Sequence, residues 1–494
     1  MSSMAASTEA PRVESDLKAC LSANEKDEKQ APTLHCEDVM DVPDLARVVD
    51  TEAERRLVRR IDLRMITLST VMYMLCFIDR FNIGNAKILN SDSGNSLQQS
   101  LRLTENQYLI ALMVFFIAYT VFEVPSNYLL KKYKPSRWFA FLMLVWGTMT
   151  MLIAATRNYG GLITTRFLLG TFEAGLFPGL VYCLTFWYKP NERAIRVGII
   201  IAGATLGGAF GSAIAFGIGT IDGARGLEGW RWLFLIEGAA SCLFAPFIFL
   251  FYPDYPETVS WLSPEERKLA IERIKGVASL GHEAITWKDA WETLVDWRLY
   301  LHHLVWVAYS VGFSSISLFA PTIVEGLGFE GLRAQLFTVP PYAIAFCVVI
   351  TVAWIADRNE MRSWCMAASF AICGVAFVIE GSLPPTAFTA RYAVLCVAVP
   401  FAFSISGPTL SWLTANLRGT GASTLAVPLN GSVATFGQII GIFIYKSSES
   451  PGFPTGHYTN AGFMFSGALL GLGLRYVYTR RNRKLEPGEP RWRL

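Results

Sequence analysis

The chain has 494 residues, 52% hydrophobic and only 17% charged, an apolar excess that excludes an ordinary soluble domain and points to a bilayer. Its net charge of +3 is near neutral and its basic residues are spread over many short loops, which argues against nucleic acid as a partner. The 9 cysteines are scattered singly, with no CxxC and no His spacing suited to zinc, so they read as small core hydrophobes and no metal site is expected.

The amino-terminal stretch is polar and acidic and lacks a charged-then-apolar signal pattern, so residues 1–60 read as a disordered cytosolic tail with nothing cleaved. Windows of roughly 20 apolar residues then recur. They fall at 63–85, 108–130, 138–156, 162–187, 196–219 and 231–252, and again at 299–325, 333–355, 364–382, 391–413, 421–445 and 459–479. The expected fold is an all-α membrane protein of twelve transmembrane helices in two six-helix halves, 61–252 and 299–479. A polar linker, 253–298, joins them, with a short helix signalled by Ser263 as cap and Pro264 at the first helical position. Arg55, Arg56, Arg59, Arg60 and Arg64 crowd the front of the first span, and Lys131, Lys132, Lys134 and Arg137 fill the loop after the second. With an even count of spans, the positive-inside rule makes both termini cytosolic, including a tail at 480–494.

The halves also repeat one another. Lys131–Trp138 after the second span matches Asp357–Trp364 after the eighth, and the glycine-rich fifth span matches the eleventh. A parallel duplication of this kind places a site near the midplane between halves. Gly203, Gly207 and Gly211, and likewise Gly437 and Gly441, put small residues on one helix face; these faces are expected to meet across the two-half interface, packing within one half being the alternative.

Asp79 and Arg80 stand side by side in the first apolar run, where ionisable groups are costly and usually face a partner or a watery cavity. Asp79 lies roughly 24 Å from the cytosolic start of its span and Glu173 roughly 21 Å from the cytosolic end of the fourth, so the two reach similar depths. Arg166 is two helical turns before Glu173 on one face. A buried carboxyl whose contact with an arginine changes between conformations changes its proton affinity, which is what coupling proton flow to substrate movement requires. Arginine stays charged and can hold a carboxylate in two parallel bonds. The alternative is that these charges simply pair and pin helix to helix. Glu123, beside Pro125 and Asn127, reads as a gate or loop anchor, and His302 and His303 as interfacial solvated residues. Tyr182, Ser314, Ser315, Ser404, Ser406, Asn430 and Gln438 are polar residues within apolar runs, of which about a third are expected to face the cavity.

Three stretches carry a resemblance: Phe77-Ile78-Asp79-Arg80-Phe81-Asn82-Ile83-Gly84-Asn85-Ala86-Lys87, Phe122-Glu123-Val124-Pro125-Ser126-Asn127, and Arg166-Phe167-Leu168-Leu169-Gly170-Thr171-Phe172-Glu173-Ala174-Gly175-Leu176-Phe177-Pro178-Gly179. From about Arg60 onward the chain resembles the anion:cation symporter family of the major facilitator superfamily, in its fungal branch of allantoate, nicotinate and pantothenate permeases. The resemblance implies a plasma-membrane carrier moving an organic anion with protons by alternating access. It places proton coupling on Asp79 and Glu173, anion binding on Arg80, and support of the fourth-span acid on Arg166. The substrate-binding set is expected to be Arg80, Tyr182, Ser404, Asn430 and Gln438, with Glu123, Asn127, Asp357 and Arg358 joining Arg166 in structural or gating roles. The loop Lys131–Arg137 lacks the glycine and aspartate of the superfamily motif, Asp357-Arg358 keeps part of it, and Gly421 and Ala422 stand after Arg418-Gly419 where a basic residue is expected.

The function expected is proton-coupled symport of a small organic anion, a nicotinate-like or related carboxylate. The alternatives are an exporter of a secondary metabolite or toxic compound, and a nutrient sensor. No enzyme is expected, since no nucleophile–base pair or metal cluster is present. The partners are then the anion, protons and the lipid bilayer, with no cofactor beyond the proton gradient, and the chain is expected to act as a monomer.

Overall fold

Every regular element that the computed structural model describes is a helix, and the described residues are 51–274, 291, 294–327, 332–417, 420–486 and 491–493. Most of the expected tail, 1–50, therefore lies outside the described residues, as do 275–290 of the linker and Arg418-Gly419. Residues 51–60 differ from the expectation: α1 (Thr51–Ile61) is helical. Glu52 and Glu54 in its first turn and Arg59 and Arg60 in its last complement the helix dipole. Leu57 and Ile61, four residues apart, are both buried.

The chain continues through a π turn, Asp62–Ile66, into α2 (Thr67–Ile88), then α3 (Glu105–Lys132), α4 (Pro135–Ile153), α5 (Tyr159–Glu173), α6 (Leu176–Trp187), α7 (Pro190–Gly219) and α8 (Gly229–Phe251). The linker helix α9 (Pro264–Glu272) begins at a capping box in which Ser263 and Glu266 each bond the other's backbone N–H. The second half is α10 (Trp297–Gly326), α11 (Leu332–Arg358), α12 (Arg362–Ser382), α13 (Phe388–Ser404), α14 (Ser406–Ala415), α15 (Thr420–Phe443) and α16 (Pro454–Asn482). Among the described residues, 10 helices are long and apolar enough to cross a membrane, α1–α2, α5–α6 and α13–α14 each counting as one. A shorter apolar stretch, Leu429–Phe443, lies in α15, and α16 is 29 residues long but carries His457, Asn460 and Arg475. Each of the twelve expected spans coincides with one of these helices.

Two spans are broken at equivalent places, each four residues before a proline. Pro178 has no N–H for the carbonyl of Ala174, and α5 stops at Glu173; Pro408 has none for the carbonyl of Ser404, and α13 stops there. The fourth span of each half thus turns at mid-depth.

Residues 56–494 form one unit in which each half repeats the same pairings. Helix α2 packs on α7 as α10 packs on α15, and α4 on α8 as α12 on α16. The glycine faces close these pairs within each half, which corrects the expectation that they meet across the interface. A Cβ on Gly203 would lie 2.8 Å from the carbonyl oxygen of Thr70, and one on Gly441 2.6 Å from that of Val311. The halves meet instead through α3 with α15, α7 with α11, and α2 with α10.

One end of the bundle gathers the basic residues. Asp62 pairs with Arg196 at 2.7 Å, Gly198 abuts Ala353 near the tail of α11, and Glu360 pairs with Arg493 at 3.2 Å. Trp492 stacks on Tyr478 at 5.4 Å, so this part of the expected carboxyl tail is docked on the bundle. At the far end the halves are sealed: Ser91 Oγ donates to Glu325 Oε1 (3.2 Å), Gln335 Nε2 to the Asn85 carbonyl (3.1 Å), and Ser447 N–H to Glu105 Oε1 (2.9 Å).

Candidate functional site

Between the halves, on the basic side of that seal, lies a partly open cavity, whose space of about 760 Å³ includes the solvent at its mouth. Its lining follows helical periodicity. Tyr73, Phe77 and Arg80 form the stripe from α2, Trp306, Tyr309, Ser310 and Phe313 that from α10, and Val427, Asn430, Gly431, Ala434, Thr435 and Gln438 that from α15. Tyr119 and Glu123 come from α3, and Phe177 and Pro178 from the turn that opens α6. Among the described residues, the charged side chains in the lining are those of Arg80 and Glu123, both on the amino-terminal half.

Arg80 does not pair with its neighbour in sequence. Its Nη2 donates to Glu173 Oε2 at 2.9 Å and its Nε to the same oxygen at 3.2 Å. Cys76, one turn earlier on α2, donates its Sγ–H to that oxygen at 3.5 Å. Glu173 reaches this point because α5 buries one face, Leu162, Arg166, Leu169, Gly170 and Glu173, and Gly170 lets that face approach the backbone of Phe115 on α3. The guanidinium of Arg80 is also held between rings, 4.7 Å from Phe77, 5.1 Å from Phe115 and 5.1 Å from Tyr119. It is 7% exposed, Glu173 0%: the arginine meets the cavity and the glutamate backs it. Arg166 faces the same Phe115 ring at 5.2 Å, with Nε and Nη1 buried and free of hydrogen bonds, so no bond from these atoms supports the acid.

Asp79 points elsewhere, because consecutive helical residues project about 100° apart. Its Oδ2 accepts from Ser241 Oγ at 2.7 Å and from Trp146 Nε1 at 3.2 Å, joining α2 to α8 and α4, and it does not line the cavity. The carboxyl of Glu237, one turn before Ser241 on α8, is buried close to Asp79 and Asn82. Sequence reasoning missed Glu237, although a lone acid in the apolar run Trp232–Phe251 is the same signal that singled out Asp79.

Of the residues expected to bind substrate, Asn430 and Gln438 line the cavity beside Arg80, while Tyr182 and Ser404 do not. The Tyr182 ring meets Phe186 at 4.8 Å, and Ser404 Oγ donates to Ser369 Oγ at 3.0 Å, both contacts within one half. Glu123 Oε2 accepts from Ser432 Oγ at 3.1 Å, a bond between halves in the cavity wall rather than at a loop. Asn127, farther along α3, has a buried Oδ1 without a bond. Asp357 pairs with Arg362 at 3.3 Å and Arg358 covers the Trp354 ring at 5.3 Å, all at the basic end. His302 and His303 are buried rather than solvated. His302 Nε2 meets Tyr478 Oη at 3.2 Å, and His303 Nδ1 meets Asn430 Oδ1 at 2.8 Å, behind the cavity wall.

The family model described as Major Facilitator Superfamily matches residues 70–442. The chain is 52% identical over 439 residues to MFS transporter prlL of Fungal sp. (strain NRRL 50135), covering 88% of this chain and 89% of that protein. It is 32% identical over 464 residues to MFS-type transporter cnsO of Penicillium expansum (90% and 87% covered), and 29% identical over 453 residues to a putative tartrate transporter of Agrobacterium vitis (90% and 100% covered). Among solved structures, a bacterial homologue of the human lysosomal transporter Spinster, inward-facing and unoccupied, superposes with TM-score 0.59 at 15% identity. It covers 86% of this chain and 98% of that one, a likeness of fold.

Proposed function

The chain belongs to the Major Facilitator Superfamily, and from that premise we propose that it is a proton-coupled symporter of an organic carboxylate, working by alternating access. The observation that carries this reading is the Arg80–Glu173 pair in the cavity wall. Arg80 is the cation that a substrate carboxylate entering the cavity meets, but its charge is already matched by Glu173. The substrate must therefore compete with Glu173 for the guanidinium. A buried carboxylate stripped of its partner is several kcal/mol unfavourable unless it is neutralised, so the displaced Glu173 takes a proton. Anion and proton then load together, which is the linkage that symport needs.

Asp79 acts apart from the substrate in this scheme. A proton there would alter how α2 is held to α4 and α8 while leaving the cavity surface unchanged. Asn430 and Gln438 complete the binding surface from the other half, and Glu123 with Ser432 ties the halves on the basic side. With that end cytosolic, the far-end contacts lie on the outer side, and the chain acts as a monomer in the plasma membrane. A relative named for tartrate supports a carboxylate as cargo; a nicotinate-like acid is the starting candidate.

The test is uptake of labelled acids into proteoliposomes. Symport requires uptake to rise with an inward proton gradient and to collapse in Glu173→Gln, whereas uptake indifferent to the gradient would sink the proposal. An exporter driven by proton antiport requires the opposite linkage, protons leaving as the anion binds.

A further inference from the structure

Arg80 accounts for one end of a ligand; the remaining wall is of a different kind. Seven aromatic side chains line the cavity, and six of them form a continuous ladder across both halves. Trp306 meets Tyr309 at 5.1 Å between centroids, Tyr309 meets Phe313 at 5.3 Å, Phe313 meets Phe77 at 5.9 Å, Phe77 meets Tyr73 at 4.8 Å, and Tyr73 meets Phe177 at 5.4 Å. Of the polar lining side chains of the carboxyl-terminal half, Asn430, Thr435 and Gln438 stand on α15, Ser310 on α10 and Ser406 on α14. His303 occupies the carbonyl side of the Asn430 amide at 2.8 Å, which leaves the amide N–H groups to serve a ligand acceptor.

We infer that the cargo is an amphipathic organic acid: a carboxylate for Arg80, an apolar or aromatic body against the ladder, and hydrogen-bond acceptors on the edge facing α15. This rests on the anion reading of Arg80 given above. A small polyhydroxylated acid such as tartrate fits the wall poorly, because hydroxyls set against ring faces lose their hydrogen bonds to water without replacement. Nicotinate offers one small ring to a ladder that crosses the whole cavity. An acid with two or more fused rings contacts the ladder in both halves at once, gaining apolar burial on each side.

The experiment measures binding to the purified full-length protein for tartrate, nicotinate, 2-naphthoate and abietate, with methyl 2-naphthoate as the uncharged control. The two larger acids should bind about tenfold or more tighter than the two smaller ones. Phe313→Leu and Trp306→Leu should shrink that ratio about tenfold, while Trp306→Phe, which keeps a ring, should largely preserve it. Each variant is first shown to be monodisperse. Equal or tighter binding of tartrate or nicotinate overturns the inference, as does a ratio that neither leucine variant changes. An ester that binds as well as its acid, with the size preference intact, instead removes the anion reading and leaves the body preference standing. Failure of all five probes to bind overturns both.

Discussion

Arg80 and Glu173 hold each other across α2 and α5 at 2.9 Å, with the arginine facing the cavity and the glutamate fully buried behind it. The ion pair is at once a structural tie between two spans and the substrate's competitor for the guanidinium. Those two roles separate in mutants.

Arg80→Ala removes the cation and leaves Glu173 buried without its counter-charge, a change worth about 3–5 kcal/mol of stability. The double variant Arg80→Ala/Glu173→Gln should recover most of that loss in thermal melts, yet bind carboxylates no better than Arg80→Ala. Recovery of binding by the double variant would show that the anion is held elsewhere.

Asp79→Asn keeps an oxygen for Ser241 and Trp146 and changes nothing in the cavity wall. Acid affinity at fixed pH should stay within about threefold of wild type, while the dependence of uptake on the proton gradient weakens. A loss of affinity beyond about tenfold would place Asp79 in direct contact with substrate.

Gly84 sits where α2 crosses α10 at the sealed end, and a Cβ there would stand 2.5 Å from the Leu318 carbonyl oxygen. Gly84→Ala cannot be accommodated without separating the two helices, at a cost of about 1–3 kcal/mol to the sealed state. Cysteines introduced on the far side of the cavity should consequently react faster with a thiol reagent added from that side; unchanged labelling would mean that this contact does not hold the seal.

Much of the site was legible because charge in an apolar run is costly: that argument alone reached Arg80, Glu173 and Asp79. It did not reach their partners. Side-by-side residues on a helix face different neighbours, so Asp79 and Arg80 belong to separate clusters, and depth along two spans could not tell which of them meets Glu173. Glycine spacing marked close helix contacts correctly but not with whom, and the partner turned out to lie within the same half. Tyr182 and Ser404 look no different in sequence from Asn430 and Gln438; only the rotation of each helix separates those that line the cavity from those satisfied by a neighbour. The twelve spans were readable from apolar length, whereas the turns after Glu173 and Ser404 were written in Pro178 and Pro408.

A carboxylate that loads by displacing Glu173 from Arg80 brings a proton in with it. The most direct measurement is the proton uptake on adding the tightest-binding acid of the panel to purified protein in weakly buffered solution. Wild type should take up about one proton per anion bound and Glu173→Gln close to none. Proton release, no proton change in wild type, or an undiminished uptake in Glu173→Gln would contradict it.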